Sequence, residues 1–498
     1  MKTLHESHPS SGANAGRLAV TDHADSWFVT TDPRRLSILF AIVIGLALVA
    51  GSFLAVGLVA RPLGGPGSLA REDLQSLYTM HGLVLVFLVA TPVIPGVFGH
   101  AFLPRRFGFD SMVLPRVGLL AFHLLVTAVV LFAIAAVVAP GRAGWTFDVP
   151  FAIEQGSGLW LAGLGVLFSC ASTVCAGACV VATVAVGGHA RRESGTSVFA
   201  WAIAIASLLA VVAALTLSAV VAMLLAERAG MSSVFAAGAA ADERFASWFW
   251  LATHAALGAI VVGALGLVTE VVEGARGEPR SADTVSVACL VALALLSFVG
   301  FGIHVPGRDV SPFGAVVASA LAIASGVPVA VFLARGWSRL ADGTVPLTPA
   351  LCWVIAFAVC LCAGGIAAAA LAILPTATYL DHTTYATGVF HLLFAGALLS
   401  AVFAGVYHAW RDWSGSEARA GWARFACFLF VVGALATFGS QLAAGWIGAS
   451  TRGGPNLAST SSWSLVSALG GVVLGVGLVL TGWNLLQSWI ASEGEARG

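Results

Sequence analysis

The stretch VFHLLFAGALLSAVFAGVYHAW, residues 389–410, is apolar over the length that a helix needs to cross a lipid bilayer. It contains no acidic residue, lysine or arginine, yet it holds two histidines, His391 and His408. A polar side chain at membrane depth is costly and is usually retained for a function. This stretch therefore predicts a membrane-spanning helix, and it raises the question of what His391 binds there.

The rest of the chain shares this apolar character. Of its 498 residues, 59% are hydrophobic and 10% are charged, whereas soluble domains carry about 25% charged residues. Apolar runs follow one another nearly end to end, without the strict alternation of membrane β-strands. We predict an all-α polytopic membrane protein, a bundle of twelve transmembrane helices. The predicted spans are residues 36–60, 79–104, 114–139, 157–186, 196–225, 246–274, 283–304, 311–335, 348–374, 384–411, 421–448 and 462–490.

This pattern predicts one membrane domain with two short polar ends. Residues 1–35 form a polar tail without the apolar centre of a signal peptide. The membrane domain covers residues 36–490, and residues 491–498 form a second tail. If the N-terminus is cytoplasmic, 17 of the 24 lysines and arginines fall on cytoplasmic segments and 7 on outer segments, as the positive-inside rule requires. We therefore expect a protein of the bacterial inner membrane with both termini in the cytoplasm. Lipid should surround its membrane domain, and we expect no nucleic-acid partner.

Histidines are the polar residues that recur in these spans. His81 opens the second span and His391 lies about two turns into the tenth, so both are predicted at similar depth in the outer half of the bilayer. Two imidazoles on facing helices can bind a haem iron from both sides. For each histidine alone, a hydrogen bond to a neighbouring helix is the competing interpretation. The histidines in or near the spans are His81, His100, His123, His254, His304, His382, His391 and His408.

Several segments resemble subunit I of the haem–copper oxidases, the cytochrome c oxidase type. Residues 78–116, YTMHGLVLVFLVATPVIPGVFGHAFLPRRFGFDSMVLPR, have that family's Thr-Met-His-Gly opening of the second helix, a Phe-Gly turn and a Pro-Arg before the third. Further similar segments are WFVTTDPRRLSILF (27–40), GWTF (144–147), AMLLAERAG (222–230) and the helix at 390–410. The resemblance covers nearly the whole chain and implies a membrane haem protein of a respiratory chain.

The resemblance also implies a haem site. The family holds a low-spin haem between one histidine of helix 2 and one of helix 10, at the positions of His81 and His391. Arg61 matches the place of an arginine that contacts this haem, and Arg452 falls where the family has an arginine pair facing the haem propionates. The haem type does not follow from these matches.

The family's oxygen-reducing site is incomplete in this chain. Val389 stands where the family has the axial ligand of a second, high-spin haem, and valine cannot bind iron. His254 and His304 remain from the three copper ligands. The glutamate and tyrosine positions that follow His254 are Ala256 and Gly258. These losses argue against copper and against oxygen reduction. Two acidic residues at the inner end of the sixth span, at positions 270 and 273, are expected on a solvated surface.

Three functions are compatible with this pattern. The first is an electron-transfer subunit with one bis-histidine low-spin haem. It would act beside other respiratory oxidase subunits and take electrons from a cytochrome c or copper-bearing donor on the outer face. The second is an active terminal oxidase with proton translocation and non-standard ligands, for which Thr387 and Tyr385 are the polar residues nearest Val389. The third is a haem-free scaffold or transporter. Whether the chain is an enzyme depends on which of these is right.

Overall fold

The computed structural model describes residues 26–59, 71–138, 141–147, 149, 151–154, 157–190, 195–235, 241–277, 280–301, 311–341, 345–380, 383–450 and 461–497. Nearly all of these residues are helical, and the described part of the chain contains two isolated β-bridges but no sheet. The predicted all-α membrane fold is therefore confirmed.

The first half of the chain forms six long helices, joined by short connections. They are α1, Pro33–Val59; α2, made of Arg71–Val84, the π-helical stretches Leu85–Ala90 and Val93–Gly99, and His100–Phe107; α3, Pro115–Val138; α4, Ser157–Ala190; α5, Val198–Arg228; and α6, Ala241–Arg276. A 3-10 turn, Trp27–Val29, precedes α1, and a short helix, Phe151–Glu154, precedes α4.

The second half adds six more helical segments. They are α7, Thr284–Val299; α8, made of Pro312–Ala324 and Gly326–Leu340; α9, Pro349–Ala372; α10, made of Thr384–His391, the π-helical stretch Leu392–Leu398 and Leu399–Ser414; α11, Ala420–Trp446; and α12, Ser461–Arg497. A short helix, Leu374–Leu380, follows α9.

These helices are consistent with the twelve predicted spans. Within the described residues, eleven are long and apolar enough to cross a membrane, and α7 is a shorter apolar helix. Most boundaries lie within a few residues of the prediction. The clearest differences are at the start of α2, which begins at Arg71 rather than near residue 79, and at the end of α12, which continues to Arg497 rather than stopping near residue 490. Most of the predicted C-terminal tail therefore extends α12 as a helix. Polar residues outside the membrane can continue a helix that its apolar, membrane-spanning part has already nucleated.

Local sequence explains where several helices begin. An N-cap side chain accepts a hydrogen bond from a backbone N–H of the first turn, which otherwise has no partner within the helix. This arrangement starts five of the membrane helices. The capping residues are Ser197 of α5, Asp283 of α7, Ser311 of α8, Thr348 of α9 and Thr383 of α10.

Glycines allow some of these helices to approach backbone to backbone. A Cβ added at Gly433 of α11 would lie 2.3 Å from the backbone nitrogen of Leu474 in α12, and one at Gly470 would lie 2.7 Å from that of Thr437. Gly364 of α9 instead makes room for a side chain of α10, since an added Cβ would lie 2.8 Å from Leu393 Cδ2. Small residues at helix contacts are the usual means of close packing in lipid. This packing fixes α9 to α12 around the segment that carries His391.

Candidate functional site

The structure brings together the imidazoles of His81 and His391. His81 lies in the first part of α2 and His391 ends the first part of α10, so the two helices present them at the same depth. Their ring centroids are 6.0 Å apart and their planes are inclined by 17°. Both side chains are half-buried. The structure thus brings these two predicted site residues side by side, and their role as haem ligands stays a prediction.

Each of the two histidines uses one ring nitrogen for a backbone hydrogen bond. Nδ1 of His81 lies 2.9 Å from the carbonyl oxygen of Gly51 in α1, and Nδ1 of His391 lies 2.8 Å from that of Thr387, one turn earlier. A carbonyl can only accept, so both Nδ1 atoms carry the proton and both Nε2 atoms keep a lone pair. A metal-binding histidine is oriented in this way.

The spacing of the rings fits an iron between them. First-row metal–imidazole bonds are about 2 Å long, and each ring centre lies roughly 1 Å behind its ligating nitrogen, which gives roughly 6 Å between centres. The observed separation is 6.0 Å. Neutral imidazoles are also the ligand type that haem iron takes in this arrangement. The donor types of His81 and His391 and the spacing of their ring centres are therefore those that a haem iron held by both imidazoles would need.

A strained loop lies beside this pair. Phe147 is buried and has a φ of 55°, the left-handed region that a bulky residue rarely adopts. The loop is attached to α2 because Gly144 N–H donates to Thr79 Oγ1 over 3.0 Å. As a result Trp145 covers Gly82, where a Cβ would lie 2.6 Å from the tryptophan Cβ. Strained residues persist where the surrounding structure holds them and often mark functional sites.

Aromatic rings complete the surroundings of His391. Phe390 lies edge-on to His391 at 5.9 Å and contacts Trp145 at 5.6 Å, and Phe438 of α11 stacks on His391 at 5.0 Å. Of these rings, Trp145 lies in the GWTF segment and Phe390 in the 390–410 segment, both similar to the family. Phe438 was missed, and nothing in its local sequence separates it from other phenylalanines of an apolar helix.

Val389 lies in an apolar cluster. It is 5% exposed and packs with Ala367 and Leu380 and with the ring of Tyr385. The Tyr385 hydroxyl donates to the carbonyl of Ala367 over 2.9 Å. The carbonyl of Thr387 accepts from His391. Of the two polar side chains considered as substitutes for the missing ligand at Val389, that of Tyr385 thus already has a partner.

His254 packs against α7. Its Nδ1 lies 2.6 Å from the carbonyl oxygen of Ser297, so it donates there. A Cβ added at Gly300 would lie 3.0 Å from His254 Cε1, and one added at Gly258 would lie 2.1 Å from Cβ of Ser297. Helix α7 therefore lies directly on this face of α6, and a side chain at position 258 would require α7 to move.

A small, largely apolar cavity lies on another side of α6. Its volume is about 50 Å³, and Ala256 forms part of its wall together with residues of α2, α4 and α5. The hydroxyl oxygens of Ser207 and Thr253 also face this region, and both are buried without a hydrogen-bond partner. Ala256, at the position of the family's glutamate, thus lines this cavity and supplies no carboxylate to it.

The two acidic residues at the inner end of α6 are buried, so the predicted solvated surface is wrong. Glu270 is 4% exposed and Glu273 is 2% exposed. The Arg106 guanidinium of α2 binds both carboxylate oxygens of Glu270, with a closest distance of 2.7 Å, and Arg339 of α8 lies 3.3 Å from Glu273. Arginines from two neighbouring helices compensate the buried charges. The position of the two acids in the sequence does not reveal these arginine partners.

Three of the predicted site residues, Arg61, His304 and Arg452, lie outside the described residues. Within the part that is described, no three His, Cys, Asp or Glu side chains converge on a metal position. The paired imidazoles of His81 and His391 are therefore the arrangement on which a cofactor assignment can be based.

The chain was compared with known proteins. Residues 35–473 match the family model "Cytochrome C and Quinol oxidase polypeptide I". The probable cytochrome c oxidase subunit 1-beta of Nocardia farcinica is 26% identical, over 93% of this chain and 80% of that protein. Cytochrome c oxidase polypeptide 1 of Halobacterium salinarum is 25% identical, over 93% and 79%.

Similarity extends to a further relative and to a solved structure. Cytochrome c oxidase subunit 1 of Corynebacterium diphtheriae is 24% identical, over 97% of this chain and 86% of that protein. A haem–copper terminal oxidase dimer solved by cryo-electron microscopy has the same fold, with a TM-score of 0.78 at 17% identity, over 93% of this chain and 84% of that one. The family match covers most of the membrane helices, and the chain belongs to the cytochrome c and quinol oxidase polypeptide I family, the subunit I of haem–copper oxidases.

Proposed function

We propose that this chain carries electrons within a respiratory oxidase complex through one low-spin haem held by His81 and His391. The observation that supports the proposal best is the pairing itself: ring centres 6.0 Å apart, with each Nδ1 donating to a carbonyl and each Nε2 left to bind a metal. Membership of the oxidase family gives the kind of cofactor. The type of haem is not part of the proposal.

The residues around the pair suit electron transfer. A haem with both axial positions filled by imidazole supplies reversible one-electron chemistry and has no open position for oxygen. The carbonyls of Gly51 and Thr387 each orient one ligand ring through its Nδ1, so the ligand geometry need not change much between redox states. The side chains of Trp145 and Phe438 pack over this part of the bundle, and both ligands are neutral.

We also propose that the oxygen-reducing site is lost. Val389 offers no donor atom at the family's second iron ligand, and its side chain is surrounded by apolar neighbours. A tyrosine at position 258 would overlap Ser297 of α7. Position 389 lies in α10 and is filled by an apolar side chain, whereas position 258 lies in α6 and is covered by α7. The proposal therefore depends on two independent features of the bundle.

Copper is not part of the proposed function. Nδ1 of His254 is already used for the hydrogen bond to Ser297, and a tightly bound copper needs about three or more protein ligands. His254 and His304 together would supply two. We regard them as the remainder of a copper site that no longer binds its metal.

The electron donor is proposed from the family and the topology. Other oxidase subunits are expected partners of a subunit I. We propose that a cytochrome c or copper-bearing partner on the outer face delivers electrons, since the histidine pair is predicted in the outer half of the bilayer. Arg61 and Arg452 are proposed as further contacts of the haem.

A visible spectrum of the purified protein tests the proposal. We expect a reduced-minus-oxidised spectrum of one low-spin haem per chain, unchanged when carbon monoxide is added. Six-coordinate iron cannot bind the gas, whereas the absorption bands of a five-coordinate iron would shift when carbon monoxide binds. A pyridine haemochrome assay gives the haem count, and metal analysis should find no copper.

Two other outcomes would support the competing functions. Two haems per chain with a carbon monoxide shift would show an active oxidase with substitute ligands. A folded, monodisperse protein without haem, even when expressed with added haem precursor, would favour a scaffold or transporter. Either result would overturn the electron-transfer proposal.

A further inference from the structure

Phe438 is the residue outside the histidine pair that touches a proposed iron ligand most directly. Its ring stacks on the His391 imidazole with a centroid distance of 5.0 Å and an interplanar angle of 23°. The phenylalanine is 6% exposed and belongs to α11, whereas His391 belongs to α10. A planar contact from another helix restricts rotation of the imidazole about its Cβ–Cγ bond.

The contact follows from the way α10 and α11 pack. A Cβ added at Gly388 would lie 2.8 Å from the carbonyl oxygen of Phe438, and one added at Gly445 would lie 2.0 Å from the backbone nitrogen of Tyr385. These glycines let the two backbones meet at both ends of the contact. Residue 391 follows residue 388 by about one turn and therefore lies on the same side of α10.

The same ring of His391 is also fixed at its edge. Nδ1 donates to the Thr387 carbonyl, which limits the tilt of the ring, while the face of Phe438 limits its rotation. On the opposite side, the Gly51 carbonyl holds the ring of His81. The result is a pair of imidazole planes inclined by only 17°.

We propose that Phe438 is a positioning residue that holds the His391 imidazole nearly parallel to that of His81. The inference rests on the proposed haem at this pair. Nearly parallel ligand planes split the two iron orbitals that receive π-electron density from the imidazoles, whereas perpendicular planes leave them close in energy. The relative orientation of the planes therefore sets the electron paramagnetic resonance (EPR) signal of the oxidised low-spin iron, independently of any turnover.

The test compares the EPR spectra of oxidised variants. Wild type is expected to give the rhombic low-spin signal of parallel planes. Phe438→Leu removes the flat surface, so its signal should broaden and shift toward the axial type, while one haem per chain is kept. Phe438→Tyr retains the flat ring and should restore the wild-type signal. The control is Phe430→Leu, on the same helix, because Phe430 is equally buried but packs on Trp353 and Phe403.

Each outcome bears on the proposal. An unchanged rhombic signal in Phe438→Leu would overturn the positioning role, and so would an equal shift in Phe430→Leu. If Phe438→Leu does not accumulate, Phe438→Met provides a flexible apolar side chain of similar size and should give the same shift. Absence of haem from wild type would instead contradict the proposed function, so the two failures are distinguishable.

Discussion

At the scale of single residues, the proposed function depends on two imidazoles that meet across the bundle. His81 and His391 were identified from a motif and from their predicted depth, and the structure places their rings 6.0 Å apart. His254 satisfies the same criterion of a histidine in an apolar helix, yet it packs against α7. Under the proposed function, the partner across the helix contact, rather than the histidine itself, distinguishes the ligand His391 from the structural residue His254.

Substitution of these histidines tests that distinction. We expect His391→Ala to remove the haem signal, because one of two axial ligands is lost. His254→Ala should leave one haem per chain with an unchanged spectrum, and should cost about 1 kcal/mol for its hydrogen bond to Ser297. Haem content and the visible spectrum of each purified variant provide the measurement. A wild-type spectrum from His391→Ala would rule out this ligand assignment.

The residues that sequence reasoning missed were those whose role depends on another helix. The chain contains 29 phenylalanines, and what distinguishes Phe438 is that it stacks face to face on His391 from another helix. Glu270 and Glu273 were expected to face solvent because acids are rarely buried. Their arginines come from α2 and α8, more than 60 positions away in sequence. Such pairings follow from the tertiary arrangement and are not visible in a single local pattern.

At the scale of elements, helix positions were predictable because the bilayer sets the length of an apolar run. The π-helical stretches were not predictable. Those in α2 lie around Pro92 and Pro95, where proline removes backbone donors, but the stretch Leu392–Leu398 in α10 contains no proline. The stretches in both helices follow the histidines closely along the chain. Widened turns of this kind are frequent at functional sites.

The contact between α11 and α12 yields a prediction on stability. Gly433→Ala places a Cβ against the backbone of Leu474 and should destabilise the protein by about 1–3 kcal/mol, as overpacking does. Gly439→Ala on the same helix is the matched control, because nothing lies within 4 Å of its added Cβ. That substitution should be neutral or should stabilise by up to about 1 kcal/mol through helix propensity. Thermal unfolding in detergent measures both, and equal effects would contradict the close approach seen here.

At the scale of the whole molecule, ion pairs connect one end of several helices. Arg106 of α2 binds Glu270 of α6, Arg339 of α8 binds Glu273, and Arg105 of α2 binds Asp412 at the end of α10. These residues were assigned to the same side of the membrane by counting positive charges along the sequence. Their contacts agree with that grouping, since residues at opposite ends of spanning helices could not meet.

The orientation of the bundle can be predicted from the same charges. With 17 of 24 basic residues predicted from the sequence to lie on the side that carries the ion pairs, that side should be cytoplasmic, because basic loops resist translocation. Green fluorescent protein fused to the C-terminus should therefore fluoresce, and alkaline phosphatase at the same place should be inactive. Alkaline phosphatase fused after Arg142, between α3 and α4, should be active. The reverse pattern would show that the chain inserts in the opposite sense, and it would then place the histidine pair in the inner half of the bilayer, away from a donor on the outer face.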